Sequence, residues 1–385
     1  MSKKKQLTYN GFEQGPIRPP SEASSLLIRI TRNCPWNHCT FCPVYKGTKF
    51  SVRPIEHVLE DIDRVANHVN RIIDYAQNHP VTRETITHLF RQADFIDQNA
   101  FYAALNWFNN GMASVFLQDA NSLIIKPSDL VVILKRLNEK LPKIQRITSY
   151  ARSHTIARIS QDDLNAIRAA GLNRIHIGME SGADEVLNWV KKGVTKQAHI
   201  NAGLKVKQAK MELSEYVMPG LGGEKFSEIH ALETADALNQ INPDFIRFRS
   251  LAIPSNIPLK EMQDNGTFVP CTDVAIAQET YQTISHLKHI QSVITSDHIL
   301  NLFEDVQGKL PDDQSKMLAI ISKFLNLSKK DQMIFQVGRR MGIIRYLSHL
   351  SQSSLRNQVE SICNQMQITP ENVDLFIQQQ IQRFI

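Results

Sequence analysis

The sequence has few cysteines and no long hydrophobic run. Only five of its 385 residues are cysteine, and no apolar stretch approaches the ~20 residues needed to span a bilayer. The basic start, Met1–Lys5, is not followed by the apolar core of a secretory signal. These absences predict a cytoplasmic protein without a membrane partner, in a reducing compartment where clustered cysteines bind metal more often than they form disulfides.

The sequence also lacks a strong charge bias. The net charge is +6, and the basic residues are spread along the chain without interleaved aromatic side chains. A nucleic-acid partner is therefore not indicated. Apolar residues make up 42% of the chain and charged residues 21%, which is ordinary for a globular protein. The length suits one barrel-sized domain with an added part, or two domains.

Three of the five cysteines fall within nine positions, as Cys34, Cys39 and Cys42 in a C-x4-C-x2-C pattern. Thiolates this close together act jointly as soft ligands for iron or zinc. Three thiolates suit a [4Fe–4S] cluster with one iron left open. The competing interpretation is zinc bound by the three thiolates and His38, although His38 and Cys39 are adjacent and would have difficulty pointing at one tetrahedral ion. Both metals remain open on this motif.

The two other cysteines, Cys271 and Cys363, stand alone in the sequence. Isolated cysteines are most often buried and behave as small hydrophobic side chains. We therefore expect neither to be a metal ligand.

The chain begins with an irregular arm over 1–25 that is rich in glycine and proline. An apolar strand over 26–31 leads into the cysteine loop. Helical periodicity begins after Pro54, continues to about Asn78, and resumes over 81–110. This is long for one crossover, so we interpret about 64–110 as a helical insertion.

After residue 110, short strands alternate with amphipathic helices. Six strands are predicted in all, over 26–31, 114–117, 146–150, 174–178, 212–218 and 245–248. Such alternation is typical of parallel strands joined by right-handed crossovers, in an open sheet or a partial barrel. The strand signal fades after Pro258, and 261–385 is predicted to be a helical C-terminal domain.

Several segments resemble the radical S-adenosylmethionine (SAM) superfamily, in particular the branch with oxygen-independent coproporphyrinogen oxidases and methylthiotransferases. Phe41 directly precedes the last cysteine of the loop, as is usual in that family. Residues 177–182, followed by 191–195, are similar to the segment after the branch's fourth strand, and 220–224 are similar to the loop after its fifth. The resemblance covers about 26–260.

The resemblance implies an α/β fold, a partial (β/α)6 TIM-type barrel with the cluster at the carboxyl ends of the strands. Two departures from the family stand out. Its cysteines are usually spaced C-x3-C-x2-C, so one residue is extra here. Its second strand usually ends in a glycine-rich acidic segment, whereas here 118–122 read Gln-Asp-Ala-Asn-Ser.

The resemblance further implies that Cys34, Cys39 and Cys42 each bind one iron and that SAM chelates the fourth. An electron from a donor such as flavodoxin or ferredoxin would cleave SAM to methionine and a 5′-deoxyadenosyl radical. That radical would abstract hydrogen from a substrate that the sequence does not identify. A hypothesis of a different class is a non-catalytic, zinc-stabilised binding protein.

The same resemblance assigns the cofactor contacts. Glu180 would accept hydrogen bonds from the SAM ribose, and Lys192 would pair with the SAM carboxylate. Asp119 and Asn121 offer acceptors after the second strand. The full set of predicted cofactor-binding residues is Phe41, Asp119, Asn121, Glu180, Lys192, Gly220 and Gly222. Glu215 and Tyr216 lie on opposite faces of the fifth strand, so only one of them can point inward.

Overall fold

Strands and helices alternate along the chain in a computed structural model that describes residues 8–384. The prediction about Met1–Lys5 lies outside the described residues. The strands of the described part are β1 (Leu26–Arg29), β2 (Thr31–Arg32), β3 (Ser51–Val52), β4 (Ser114–Gln118), β5 (Arg146–Ala151), β6 (Leu172–Glu180), β7 (Glu212–Val217), β8 (Phe245–Phe248), β9 (Val293–Thr295) and β10 (Gly308–Lys309).

Residues 8–384 also form fifteen α-helices, of which the last four follow β10. They are α1 (Ile55–Asn78), α2 (Arg83–Arg91), α3 (Gln98–Asn109), α4 (Pro127–Lys140), α5 (Ser153–Ile156), α6 (Gln161–Ala169), α7 (Asp184–Trp189), α8 (Lys196–Gln208), α9 (Gly223–Ile241), α10 (Pro258–Asp264), α11 (Asp273–Ser285), α12 (Gln314–Leu325), α13 (Lys329–Arg340), α14 (Ser353–Gln365) and α15 (Val373–Ile381).

Eight strands form one sheet in the order β1-β4-β5-β6-β7-β8-β9-β10, and β2 pairs with β3 in a separate ribbon. The pairs β1/β4, β4/β5, β7/β8 and β8/β9 are parallel. Only the last pair, β9/β10, has an antiparallel register among the described pairs of this sheet. The chain divides into two compact units, one comprising 1–35, 47–176 and 205–212, the other 36–46, 177–204 and 213–385.

The first unit is built around β4, whose five residues are all buried. Burial of every residue, with the apolar run Val115–Phe116–Leu117 at the centre, is typical of a parallel strand covered on both faces. Helix α3 is fixed to β4 by Trp107, a fully buried side chain whose indole N–H donates to the Ser114 carbonyl at 2.7 Å. Helix α1 contributes a buried face that includes Val58, Ile62 and Val65.

The second unit contains all the helices from α9 to α15. Its core is aromatic, with the rings of Phe303, Phe324 and Phe335 in mutual contact at centroid distances of 5.3 to 5.9 Å. Helix α11 begins at Thr272, whose hydroxyl accepts from the Ala275 N–H at 3.1 Å. This capping bond satisfies one of the free N–H groups at the helix start.

The predicted α/β fold is confirmed, and all six predicted β/α strands are present. The short ribbon β2/β3 was not predicted. The structure also adds two strands to the main sheet that the sequence analysis missed, because β9 and β10 lie in the region 261–385 that was predicted to be only helical. They are three and two residues long, too short for a recognisable alternation. The predicted domain boundaries near 25 and 260 stay predictions. No helix within residues 8–384 is long and apolar enough to cross a membrane.

The two added strands give a test of the role of residues 261–385. A chain truncated after Pro258 loses β9 and leaves the edge of β8 unpaired. Open edges of this kind promote aggregation. We expect the 1–258 fragment to aggregate or to melt without cooperativity, measured by light scattering and circular dichroism against the full chain. A soluble monomer with a cooperative melting transition would contradict this expectation.

Candidate metal and cofactor site

The start of the cysteine loop is fixed by Asp119, which is fully buried at the end of β4. Its Oδ2 accepts from the Arg29 guanidinium at 3.0 and 2.7 Å. The same oxygen accepts from the backbone N–H of Asn33 at 3.1 Å, one residue before Cys34. Asp119 therefore has a structural role at the cluster loop, and its predicted contact with SAM stays a prediction.

A second carboxylate, Glu13, continues this network from the N-terminal arm. Glu13 forms ion pairs with Arg29 at 2.7 Å and with Arg32 at 2.8 Å. Arg29 thus lies between two carboxylates, Glu13 and Asp119, and Arg32 is two residues before Cys34. These ion pairs fix the position of the strands β1 and β2, which lead into the cysteine loop.

Asn121 also has partners of its own. Its Oδ1 accepts from the Arg152 backbone N–H at 3.0 Å, and its Nδ2 donates to the Thr155 hydroxyl at 2.8 Å. Asn121 is fully buried and connects the segment after β4 to α5. Asn121 thus has a structural role between these two segments, and its predicted contact with SAM stays a prediction.

The later part of the loop, within the second unit, lies against the turn that follows α7. The Trp36 indole N–H donates to the Lys191 carbonyl at 2.7 Å, and the Thr40 N–H donates to the Val190 carbonyl at 2.9 Å. The ring of Trp36 lies directly over Gly193, which has a φ of +68°. A Cβ atom at Gly193 would be 2.3 Å from that ring, so only glycine fits.

The three loop cysteines are half-buried, and none forms a disulfide. Their donor set, three thiols on one loop, fits a [4Fe–4S] cluster with one open iron. Within residues 8–384, no three His, Cys, Asp or Glu side chains are close enough to hold a metal ion. The assignment of Cys34, Cys39 and Cys42 therefore depends on their spacing and on the family.

Glu180 and Lys192, which were predicted to bind SAM, lie together in the second unit. Lys192 Nζ is 3.0 Å from Glu180 Oε1 and 5.7 Å from the ring centroid of Phe41. Phe41 is buried and directly precedes Cys42. Gly178 makes room for the pair, since a Cβ atom there would be 2.3 Å from Glu180 Oε1. A carboxylate and an ammonium group are thus close to the cysteine loop.

The sequence analysis did not decide between Glu215 and Tyr216, and the structure shows that Glu215 is the fully buried one. Neither carboxylate oxygen of Glu215 has a hydrogen-bond partner among residues 8–384. The Met218 N–H, just after β7, donates to the Glu180 carbonyl at the end of β6 at 2.9 Å. In a parallel pair, this bond places Gly178 of β6 next to Glu215 of β7, on the same face of the sheet.

Burial raises the pKa of Glu215 well above its usual value, the negative charge of Glu180 adds to the rise, and Lys192 opposes it. Burial therefore favours the neutral form of Glu215 near the Glu180–Lys192 ion pair. Alternation along β7 predicted that one of two side chains would be buried, but only the register between neighbouring strands identifies which one.

The predicted glycine turn after β7 is fixed by Glu279, a residue that the sequence analysis missed. Gly220 has a φ of +85°, and its N–H donates to Glu279 Oε1 at 2.7 Å. The other oxygen of Glu279 accepts from the Ser227 hydroxyl at 2.6 Å. Gly222 needs to be small, since a Cβ atom there would be 2.9 Å from the Phe226 backbone.

The buried Glu215 gives a test based on pH. Its pKa is near 4.5 in the unfolded chain and higher in the folded protein, so between these values the folded state holds a proton that the unfolded state has lost. The free energy of unfolding should therefore fall as the pH rises through this range, by about 1.4 kcal/mol per unit of pKa difference. Glu215→Gln should remove this loss.

We expect melting temperatures measured from pH 5 to pH 9 to decline less steeply for Glu215→Gln than for the wild type. Glu228→Gln, at an exposed position on α9, serves as the control and should decline like the wild type. Parallel curves for Glu215→Gln and the wild type would show that Glu215 is already ionised in the folded protein.

Comparisons with known proteins give distant relatives. A tRNA uridine(34) acetyltransferase of Methanocaldococcus infernus is 23% identical over 165 residues, covering 40% of this chain and 30% of the relative. A tRNA-2-methylthio-N(6)-dimethylallyladenosine synthase of Hahella chejuensis is 20% identical, covering 83% of this chain and 58% of the relative. The chain thus spans from under a third to somewhat over half of these relatives.

Among solved structures, the archaeal Methanocaldococcus infernus Elp3 with an N-terminal deletion matches at 17% identity and a TM-score of 0.39, covering 55% of each chain. The family model described as the radical SAM superfamily matches residues 28–235, which is more than half of the chain. This match confirms the predicted family, the enzymatic class, and the [4Fe–4S] cluster and SAM as cofactors. The chain belongs to the radical SAM superfamily.

Proposed function

We propose that Cys34, Cys39 and Cys42 hold the cluster and that the enzyme abstracts hydrogen from its substrate. When bound, the cluster supplies the electron that cleaves SAM to methionine and a 5′-deoxyadenosyl radical, the species that takes the hydrogen. The observation that carries this proposal is the Glu180–Lys192 ion pair beside Phe41, because it places groups suited to SAM next to the loop that bears Cys42.

The chain's own residues bind and orient the cofactor. The Glu180 carboxylate accepts hydrogen bonds from the ribose hydroxyls, and the Lys192 ammonium pairs with the carboxylate of the methionyl part. The backbone at Gly220 and Gly222 carries no Cβ, which allows the adenine edge to approach closely. Burial raises the pKa of Glu215 beside this pair and so favours its neutral form, whose O–H group is a donor that a bound ligand can accept.

The remaining assignments follow from the family. A flavodoxin or ferredoxin supplies the electron. The alternative of a zinc-stabilised binding protein gains no support, since the family of the chain is defined by iron–sulfur chemistry.

A candidate macromolecular substrate is tRNA. The sequence analysis did not indicate nucleic acid, and the comparisons do not support that expectation, because both relatives are named for tRNA modification. The experiment is to compare modified nucleosides in tRNA hydrolysates from cells with and without this protein. Loss of one modified nucleoside would support tRNA as the substrate, and identical profiles would contradict it.

The ligand assignment predicts iron contents. Replacing Cys34, Cys39 or Cys42 by alanine should abolish cluster binding, because a missing thiolate leaves an iron without its protein ligand. Cys271→Ala and Cys363→Ala serve as matched controls and should bind the full cluster. Burial raises the pKa of the Cys271 thiol to about 12, which disfavours its thiolate form. Iron and sulfide per chain are measured after anaerobic reconstitution. Loss of iron in either control, with the fold intact, would overturn the assignment.

The reaction itself predicts a product. Reduced, reconstituted protein should convert SAM to 5′-deoxyadenosine and methionine, while Cys42→Ala should not. Glu180→Gln should weaken SAM binding by about 1–3 kcal/mol through loss of a charged hydrogen bond, with iron content unchanged. Glu185→Gln, an exposed acid on α7, is the matched control and should bind SAM normally.

Binding is measured by equilibrium dialysis, and products are measured by chromatography under anaerobic conditions with cell extract added to supply substrate. A fully loaded, reduced protein that forms no more 5′-deoxyadenosine than Cys42→Ala would exclude the proposed reaction.

A further inference from the structure

A cavity of about 420 Å³ lies in the second unit, beyond the carboxyl ends of the adjacent parallel strands β7 and β8. Gly220, three residues past β7, and Leu251–Ser255, past β8, contribute to one side. Helix α15 contributes to another. Enzymes built on parallel strands bind their substrates at these ends, and the volume falls in the range of small-molecule sites.

Much of the cavity wall is apolar. The apolar side chains in the wall come from the segment after β8, from α11 and from α15, and they are Leu251, Ile253, Ile276, Leu375, Ile377 and Ile381. The end of α15 is fixed to the opposite wall, because the Gln382 amide donates to the Ile253 carbonyl at 2.6 Å. The cavity therefore offers an anchored apolar surface to a ligand.

One buried carboxylate in the wall lacks a partner for one of its oxygens. Asp273, at the start of α11, is 4% exposed. Its Oδ1 accepts from the Arg340 guanidinium at 2.6 Å, while its Oδ2 is buried and has no hydrogen-bond partner in the described part of the chain. A buried acceptor without a donor is rare in native proteins and is commonly satisfied by a water molecule or a ligand.

A second carboxylate, Asp374 on α15, lies in the same wall. Burial, followed by the negative charge of Asp273, raises the pKa of Asp374, which shows that the two carboxylates are close enough to repel each other. Among the described residues, Asp273 forms an ion pair with Arg340, and Asp374 forms none. Lys260 also lines the cavity, but its ammonium group is paired with Asp264 on α10. The cavity therefore carries uncompensated negative charge.

We propose that this cavity binds a protonated amine with an apolar body, as a ligand site separate from the one that would take tRNA. The ammonium group donates to Asp374 and to Asp273 Oδ2, and the apolar body lies against the isoleucine and leucine side chains. The inference does not rest on the proposed function.

The test uses three probes of equal length but different charge, hexylamine, hexan-1-ol and hexanoate, with the full, reconstituted chain at neutral pH. Binding is measured by ligand-observed NMR titration. We expect hexylamine to bind about tenfold more tightly than hexan-1-ol because a charged hydrogen bond is gained, and hexanoate to bind least. Asp374→Asn should lower the affinity for hexylamine about tenfold and leave hexan-1-ol unchanged.

Glu228→Gln removes an exposed acid of α9 that does not line the cavity and should bind all three probes like the wild type. Folding of each variant is verified by its melting temperature. Equal affinities for hexylamine and hexan-1-ol in the wild type would overturn the inference, and so would an Asp374→Asn variant that still prefers the amine.

The inference and the proposed function can fail separately. Iron content and 5′-deoxyadenosine formation are measured on the same wild-type preparation. A preparation that prefers hexylamine but forms no 5′-deoxyadenosine contradicts the proposed function and leaves amine binding standing. One that forms 5′-deoxyadenosine without preferring hexylamine contradicts the inference alone.

Discussion

The cysteine loop depends on one buried carboxylate. Asp119 accepts both guanidinium hydrogen bonds of Arg29 and the N–H of Asn33, so a single side chain fixes the end of β1, the end of β4 and the first turn of the loop. Removing one member of such a pair leaves an uncompensated charge in a low-dielectric site, which costs about 3–5 kcal/mol. The position of the first cysteine is thus coupled to the stability of the first unit.

In the second unit, the charges of the acidic side chains depend on burial as much as on ion pairing. Glu180 and Lys192 neutralise each other, and burial raises the pKa of Glu215, which has no hydrogen-bond partner within residues 8–384. Protonation of Glu215 removes the negative charge that this arrangement would otherwise leave unpaired. The surroundings can therefore respond to a bound ligand by moving a proton, whereas three permanently charged groups would require rearrangement of side chains.

The sequence predicted the six β/α strands and the family because these follow from local periodicity and from contiguous motifs. Contacts between residues far apart in the chain could not be predicted from it. The motif around Asp119 indicates an acceptor, but nothing local indicates that Arg29, 90 positions away, occupies it. The role of Glu279 at Gly220 was missed for the same reason, since 59 positions separate the two. The strands β9 and β10 were missed because a pairing partner, and not their own pattern, defines them.

The contact between Trp36 and Gly193 has a consequence for reading related sequences. The indole occupies the space in which any other side chain at 193 would begin. A chain with a larger residue at the position of Gly193 must therefore have a smaller one at the position of Trp36, or a differently shaped loop. The identity of these two residues, 157 positions apart, can then serve as a paired marker of the loop conformation in sequences that lack a structure.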